Sequence, residues 1–186
     1  MIGNDIVDLK QAAKDSNWQR PRFLDKVFTT KEQQLIFSAK NQHQLVWLLW
    51  SMKEAAYKLN VQQFGKRFFN PKKMICNTLS ETSGIVKIGN VSYFTTSIIT
   101  EDYIYTIATL EVVKDYKSKC FKVENSAYKF QSEVLKNRFF EAFPIKDSSL
   151  EIRKNEVGVP KLFQDDKLLD YSFSLTHHGR FCGWVI

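Results

Sequence analysis

The sequence predicts an α+β fold of two similar halves related by a pseudo-twofold axis, each with an antiparallel sheet packed on a long helix. In both parts of the chain, a segment with helical periodicity precedes segments with strand-like composition. A charged connector, residues 114–119, separates the parts and sets the halves at residues 1–113 and 120–186. Because residue identity between the halves is slight, a chance similarity of two α+β units is the alternative.

Two helices are predicted in the first half. Residues 30–37 follow Thr29 and Thr30, either of which can cap a helix, and Glu32 lies in the first turn. Residues 41–59 carry apolar side chains at helical spacing, which indicates a helix with one buried face. These side chains are Leu45, Leu48, Leu49, Met52, Ala55, Ala56 and Leu59.

Strands follow in both halves. Residues 85–88, 91–99 and 103–113 are rich in β-branched and aromatic residues and are separated by short turns, which predicts an antiparallel meander. In the second half, a helix over residues 126–143 ends at Pro144. Strands are predicted there at residues 150–153, 172–175 and 180–186.

Composition excludes several classes of protein. No apolar run approaches the roughly 18 residues of a membrane span, so we expect no membrane association. The segment MIGNDIVDLK lacks the features of a signal peptide, and we expect a cytoplasmic protein. Cys76, Cys120 and Cys182 show neither a disulfide framework nor metal-ligand spacing, which favours buried thiols. The net charge of +7 favours an anionic partner: a nucleic acid, a phosphorylated small molecule or an acidic protein.

The stretch WSMKEAAYKL, residues 50–59, carries charges on a helix that otherwise looks buried. Glu54 and Lys58 are four residues apart, so they could form a surface ion pair that contributes about 0.2–0.5 kcal/mol. Alternatively, Lys53, Glu54 and Lys58 form a polar stripe that holds a metal-bound phosphate. The carboxylate would ligate Mg²⁺ and the ammonium groups would neutralise phosphate oxygens. This second interpretation requires another carboxylate.

Asp5 in GNDIVDL offers that carboxylate, at or near the start of a strand. Asp8 lies three residues later and would face the other side of the strand. The alternative makes Asp5 a turn residue after Gly3.

Two further stretches lie in the second half. In SLTHHG, Thr176, His177 and backbone N–H groups could hold a phosphate, or the segment could be an ordinary polar turn. In EVGVP, Gly158 and Pro160 interrupt the chain after a predicted strand and allow close backbone approach.

Together, Gly-x-Asp-Ile, Trp-x-x-Lys-Glu-Ala-x-x-Lys, Gly-x-Pro and Ser-x-Thr-His resemble the motifs of the 4′-phosphopantetheinyl transferase superfamily. The resemblance implies an enzyme that transfers the 4′-phosphopantetheine arm of coenzyme A to a serine of an apo acyl- or peptidyl-carrier protein. This holo-acyl-carrier-protein synthase activity depends on Mg²⁺ and releases 3′,5′-ADP. A relative that binds coenzyme A or a carrier without transfer is the alternative.

The resemblance also implies roles for individual residues. Asp5 and Glu54 match the Mg²⁺ ligands, and either Glu54 or a hydroxide on the metal would take the serine proton. Glu54 and Lys58 are the implied catalytic residues, with Lys58 near the reacting phosphate. Glu32 falls where the family often has a glutamate. The implied cofactor contacts are Lys53, Lys58, Gly158, Pro160, Thr176 and His177.

Motif order and three substitutions depart from the family pattern. The order of the four motifs matches that of the small holo-acyl-carrier-protein synthases. The two halves, in contrast, resemble the larger monomeric members, in which Gly-Lys-Pro and Ser-His come before the other two motifs. The sequence therefore predicts a circularly permuted, monomeric enzyme. Val7 replaces a second acidic ligand, and Val159 replaces the lysine of Gly-Lys-Pro, a contact that Lys161 or Arg180 would have to supply. Thr176 replaces serine and keeps the hydroxyl.

The basic segment GKRFFNPKK, residues 65–73, could contact the nucleotide or an acidic carrier, or could be a solvated loop. A nucleic-acid-binding module is the rival for the whole chain. The basic residues are dispersed and no RNA-recognition motif occurs, so we expect no nucleic-acid partner.

Overall fold

Helices and strands are assigned from a computed structural model that describes residues 1–112, 115–145 and 147–186. The helices are α1 (Leu9–Asp15), α2 (Phe23–Val27), α3 (Thr30–Ser38), α4 (Gln42–Phe64) and α5 (Tyr128–Ala142). The strands of the first half are β1 (Ile2–Asp8), β2 (Met74–Thr78), β3 (Ser83–Ile88), β4 (Val91–Ile99) and β5 (Tyr103–Thr109). Those of the second half are β6 (Ser118–Lys122), β7 (Leu150–Lys154), β8 (Pro160–Gln164), β9 (Lys167–Leu169), β10 (Ser174–His178) and β11 (Phe181–Val185). The α+β class is confirmed.

In the described part of the chain, the strands form three antiparallel sheets. Their orders are β1-β5-β4-β3-β2, β10-β11-β6 and β7-β8-β9. The first strand of each half pairs with the last, which pairs in turn with the strand before it: β1-β5-β4 in one sheet and β6-β11-β10 in the other. This shared order is what a duplication would produce, and the pseudo-twofold relation of the halves stays a prediction.

Local signals explain where the two predicted helices of the first half begin and end. At α3, Thr29 rather than Thr30 is the cap, and it forms a reciprocal capping box with Glu32. At α4, the Asn41 side chain accepts a hydrogen bond from the Gln44 N–H, and Gly65 ends the helix in the left-handed conformation at φ 62°. The helix predicted at residues 41–59 is therefore confirmed and extends to Phe64.

Three apolar clusters form the core. One lies between α4 and the five-stranded sheet, and a second surrounds α5. The third joins the halves, because side chains of β1 and β5 pack against those of β11. Its buried members are Ile2, Ile6, Tyr105, Ile107, Phe181 and Val185.

Some element boundaries differ from the predictions. The strand predicted to reach residue 113 ends at Thr109, and residues 113 and 114, where the predicted domain boundary falls, lie outside the described residues. β10 begins at Ser174 and continues to His178, two residues later at its start than expected. The short elements α1, α2, β2, β6, β8 and β9 were not predicted, because three to seven residues give too little periodicity to recognise.

No helix in the described part of the chain is long and apolar enough to cross a membrane.

Candidate active site

Strand β1 presents the predicted ligand Asp5 to helix α4. Alternate residues of a strand face opposite sides, so Gly3, Asp5 and Val7 share one face. A side chain at Gly3 would overlap the Ala55 carbonyl oxygen, so only glycine lets β1 lie this close to α4. Val7 is buried in the α4 core and supplies no ligand.

Lys58 connects this strand to α4 at the site. Its Nζ donates to the Asn4 carbonyl oxygen at 2.8 Å and lies 3.4 Å from Asp5 Oδ1. Glu54 lies one helical turn before Lys58 and makes no hydrogen bond among the described residues. A Glu54–Lys58 surface ion pair was one of the two alternatives from the sequence. In the structure Lys58 pairs with Asp5 instead, and the Glu54 carboxylate has no ion-pair partner among the described residues.

The two carboxylates destabilise each other's charge. Burial raises the pKa of Asp5, and the Lys58 ammonium only partly offsets this. Burial, and then the nearby Asp5 charge, raise the pKa of Glu54 to about 7. Asp5 is buried and Glu54 is partly buried, and Lys58 is the one cation that pairs with either carboxylate among the described residues. The excess of negative charge favours the binding of a cation.

The residues present fit a divalent metal ion. Asp5 Oδ2 is buried and has no hydrogen-bond partner among the described residues. Such an atom is costly unless something else pairs with it. The described chain contains no cluster of three or more His, Cys, Asp or Glu side chains that could hold a metal. Two carboxylates plus ligand phosphates and water are what Mg²⁺ usually takes, so Asp5 and Glu54 are adequate only when a phosphate is also bound.

Thr176 and His177 are consecutive residues of β10, so their side chains lie on opposite faces of the strand. The Thr176 hydroxyl is buried and lies 3.4 Å from Asp5 Oδ1, toward β1. His177 lies on the other face, where its ring packs edge-on against Tyr128 at 5.2 Å. We therefore assign Thr176 to the orientation of Asp5, and retain His177 as the predicted phosphate contact.

A cavity of about 630 Å³ is lined by residues of both halves, among them Lys58. Four of its lining side chains are cations, namely Lys58, Arg67, Lys136 and Lys154. The described residues that line it include no Asp or Glu. The remaining lining residues are Tyr57, Val61, Gln62, Phe69, Tyr128, Ser132, Leu135, Ile152, Val157, Gly158, Val159, Pro160, Ser174, Leu175 and His177. This charge distribution suits an anion with an apolar portion.

The Gly-x-Pro turn meets the first half at this cavity. Gly158 has φ 76°, and a side chain there would overlap the Arg67 guanidinium. Arg67 Nε donates to the Val157 carbonyl oxygen at 2.7 Å. Gly158 and Pro160, for which the resemblance implied cofactor contacts, therefore line the cavity. The glycine leaves room for the close approach of Arg67.

The structure places Lys53 in the core, away from the cavity. Its side chain is 1% exposed, and its Nζ donates to Glu32 Oε2 at 2.8 Å and to the carbonyl oxygens of Val27 and Pro71 at 2.9 Å. All three ammonium hydrogens are used within the protein, so none is left for a phosphate. We assign Lys53 to the core rather than to the cofactor. Glu32 is its buried partner.

The two cations proposed to replace the missing Gly-Lys-Pro lysine also lie elsewhere. Arg180 is bound to the buried Asp8 at 2.8 Å and to Asp102 at 3.1 Å. Although burial opposes it, hydrogen bonding from Arg180 lowers the pKa of Asp8 to about 2. Lys161 does not line the cavity.

Sequence reasoning missed Lys136 and Lys154, which are exposed and belong to no motif. Lys136 lies in the middle of α5, and Lys154 is the last residue of β7. In the basic segment, residues 65–73, it noted Arg67 without its role. Arg67 and Phe69 line the cavity, whereas Lys66, Lys72 and Lys73 are exposed and do not. Phe69 is held by Trp50 at 6.0 Å and Tyr57 at 5.2 Å between ring centroids. These residues are identified only by the tertiary structure, which brings α4, α5, β7 and the segment after α4 together around one cavity.

Comparison with known proteins gives one match. A family model described as the 4′-phosphopantetheinyl transferase superfamily matches residues 1–108, more than half of the chain. The matched region contains Asp5, Glu54 and Lys58 and ends before the Gly-x-Pro and Ser-x-Thr-His stretches. No curated protein matches the sequence.

Proposed function

The chain belongs to the 4′-phosphopantetheinyl transferase superfamily, and from this premise we propose that it transfers the phosphopantetheine arm of coenzyme A to a serine of an apo acyl- or peptidyl-carrier protein. The reaction forms a phosphodiester with the serine oxygen, breaks the pyrophosphate bond and releases 3′,5′-ADP. Family membership supports phosphopantetheine transfer in general, and the carrier acceptor and the metal dependence are our proposals.

One observation carries the proposal: a cavity has four cations and no carboxylate among its described lining residues, and one of these cations, Lys58, is ion-paired with Asp5. Coenzyme A is a multiply phosphorylated nucleotide with a long, less polar arm. Its phosphates match the cations, and its arm matches the apolar walls at Val61, Leu135 and Ile152. Pyrophosphate bound by Lys58 would lie beside the carboxylate pair.

Asp5 and Glu54 are the residues that would hold Mg²⁺. When bound, the ion would polarise the pyrophosphate and neutralise charge that develops on it. Asp5 is oriented from two sides, by Lys58 and Thr176. Glu54 is restrained by neither, so it is free to adjust to a ligand or to accept a proton.

The protein residues position groups and balance charge, which is most of what phosphoryl transfer requires. Glu54 is our candidate for removing the proton of the attacking serine, because its carboxylate makes no competing hydrogen bond in the described structure. Lys58 would stabilise the departing 3′,5′-ADP. His177 lines the same cavity, and burial, followed by the charges of Lys58 and Lys154, lowers its pKa. We propose that its ring donates a hydrogen bond to a ligand phosphate.

We further propose that the enzyme is a monomer with permuted halves. Both the carboxylate pair and the cavity are built within a single chain, with lining residues from both halves. The shared strand order of the two sheets supports the duplication.

The decisive experiment incubates purified apo carrier proteins of several types with the protein, coenzyme A and Mg²⁺, followed by mass spectrometry. A gain of one phosphopantetheine on the serine, abolished by a chelator, is expected. If no carrier gained mass but coenzyme A still bound in a parallel titration, the protein would be a relative that binds coenzyme A without transfer. The replacement of a metal ligand by Val7 and of a lysine by Val159 would be consistent with that result.

A further inference from the structure

Lys154 is the last residue of β7 and lies beside the Gly-x-Pro turn. In the β7–β8 register it is paired with Pro160, the residue that follows Val159. Strand alternation puts Leu150, Ile152 and Lys154 on one face. The first two pack against the core around α5, and Lys154 lines the cavity. Its ammonium group therefore approaches the cavity from the strand next to the position where the family's lysine is missing.

The charge of Lys154 has no partner within the described part of the protein. The neighbouring Arg153, on the opposite face, is held by Glu151 and Asp166, with 2.6 Å to each. Lys161 is paired in register with Arg153, away from the cavity. Arg180 is neutralised by Asp8 and Asp102. Arg67 also lines the cavity at this turn, but its Nε is bonded to the Val157 carbonyl oxygen. Of the cations around this turn that line the cavity, Lys154 is therefore the one whose side chain makes no hydrogen bond among the described residues.

Lys154 and Lys58 provide two separate cationic positions for one ligand. Lys58 is tied to Asp5 and Asn4 on the first half, whereas Lys154 belongs to the small sheet of the second half. The charges of both lysines help to lower the pKa of the half-buried His177. A ligand that fills the cavity would contact Lys58, which is paired with Asp5, and would also contact His177 and Lys154.

We propose that Lys154 binds the phosphate on the ribose of coenzyme A, in place of the lysine that Val159 replaces, and so sets the preference for coenzyme A over its dephospho form. The inference rests on the proposed function. Lys58 and the carboxylate pair account for the pyrophosphate, which leaves the ribose phosphate, a compact group with up to two negative charges, to a cation of its own. Lysine suits this role because it acts as a mobile point charge.

Titration calorimetry with coenzyme A and with dephospho-coenzyme A tests the assignment. The wild type is compared with Lys154→Ala, Lys154→Arg and the matched control Lys161→Ala, which removes an equal charge outside the cavity. Because Lys154 is exposed, its replacement leaves the fold intact. We expect Lys154→Ala to weaken coenzyme A binding about tenfold, the loss typical of a charged hydrogen bond. Dephospho-coenzyme A binding is expected to change less than about twofold, since only long-range attraction is lost. Lys154→Arg should restore most of the preference.

Three outcomes would overturn the assignment: equal losses for both ligands, no loss for either, or no binding of coenzyme A by the wild type. The result is separable from that of the proposed function. If the ligand-selective loss is observed but no carrier is modified, Lys154 keeps its role and the transferase proposal fails.

Discussion

At the scale of single residues, two neighbours on α4 have opposite fates. Lys53 points into the core and is fully bonded there, and Glu54 points to the site and is bonded to nothing among the described residues. Consecutive helical residues point about 100° apart, so adjacent charges need not serve one site. The Lys-Glu pair therefore divides into a cation that is bonded within the core and a carboxylate that we propose as a metal ligand.

Replacing Glu54 with Gln should reduce Mg²⁺-dependent transfer by about 100-fold or more, because a neutral amide is a poor ligand and no base. Steady-state assay with a carrier that the wild type modifies measures the loss. Glu81→Gln, in an exposed turn, is the control and should leave the rate unchanged. Full activity of Glu54→Gln would show that this carboxylate is neither ligand nor base.

Replacing Lys53 with Met should destabilise the fold by about 3–5 kcal/mol, because Glu32 would remain buried without its partner. Chemical denaturation measures the difference. The neighbouring surface change Lys31→Met should alter stability by less than about 0.5 kcal/mol. If the two variants were equally stable, the buried ion pair would not support the fold in the way described.

At the scale of elements, strand β1 holds the site and both halves together. One face lies against α4, with Gly3 at the point of closest approach. The other contributes Ile2 and Ile6 to the core shared with β11, and the Asn4 N–H donates to Ser174 Oγ at 3.2 Å. β1 is consequently buried along its whole length.

A methyl group at Gly3 would force β1 and α4 apart, since an added Cβ overlaps the Ala55 carbonyl oxygen. Gly3→Ala should therefore cost about 1–3 kcal/mol, the usual cost of overpacking. It should also weaken metal-dependent activity, because Asp5 moves relative to Glu54. Thermal unfolding and the transfer assay measure the two effects, and a variant as stable as the wild type would mean that the strand and helix can separate freely.

The end of β1 should give the fold an acid-sensitive contact between the halves. Hydrogen bonds from Arg180 lower the folded-state pKa of Asp8 to about 2, against 3.8 for the free group. A depressed carboxyl pKa adds stability that is complete above about pH 4 and is lost as the pH falls toward 2, about 2 kcal/mol in all. Asp8→Asn keeps a capping side chain for α1 but removes the titration.

Urea unfolding at pH 5 and pH 3 compares the wild type with Asp8→Asn. We expect the stability gap between them to narrow by about 1 kcal/mol at the lower pH, where the wild type has lost part of the ion pair. A gap that stays constant would mean that Asp8 does not titrate in this range.

At the scale of the whole molecule, the cavity is lined by residues of both halves of one chain, which supports our proposal of a monomer. Arg67 and Lys58 come from one half, and Lys136, Lys154 and His177 come from the other. Light scattering coupled to size exclusion should therefore give the mass of one chain, with and without coenzyme A. A dimer that forms only with the ligand would show that the site is completed by a partner.

The sequence by itself determined the features that depend on near neighbours. Periodicity identified α4, and Thr29 and Thr30 were recognised as alternative caps of α3. The resemblance of short motifs to those of a family identified Asp5, Glu54, Lys58 and His177 as candidates. Each of these signals spans a few turns or one strand, where local geometry dictates which side chains share a face.

Only the tertiary structure decided which candidate faces the cavity and which distant residues join it. It turned Lys53 toward Glu32 and Thr176 toward Asp5, and it brought Arg67 to Val157 across 90 residues. The physical reason is that these contacts follow from how helices and sheets pack through their apolar faces. Such packing depends on surfaces distant in the chain, and no local pattern encodes it.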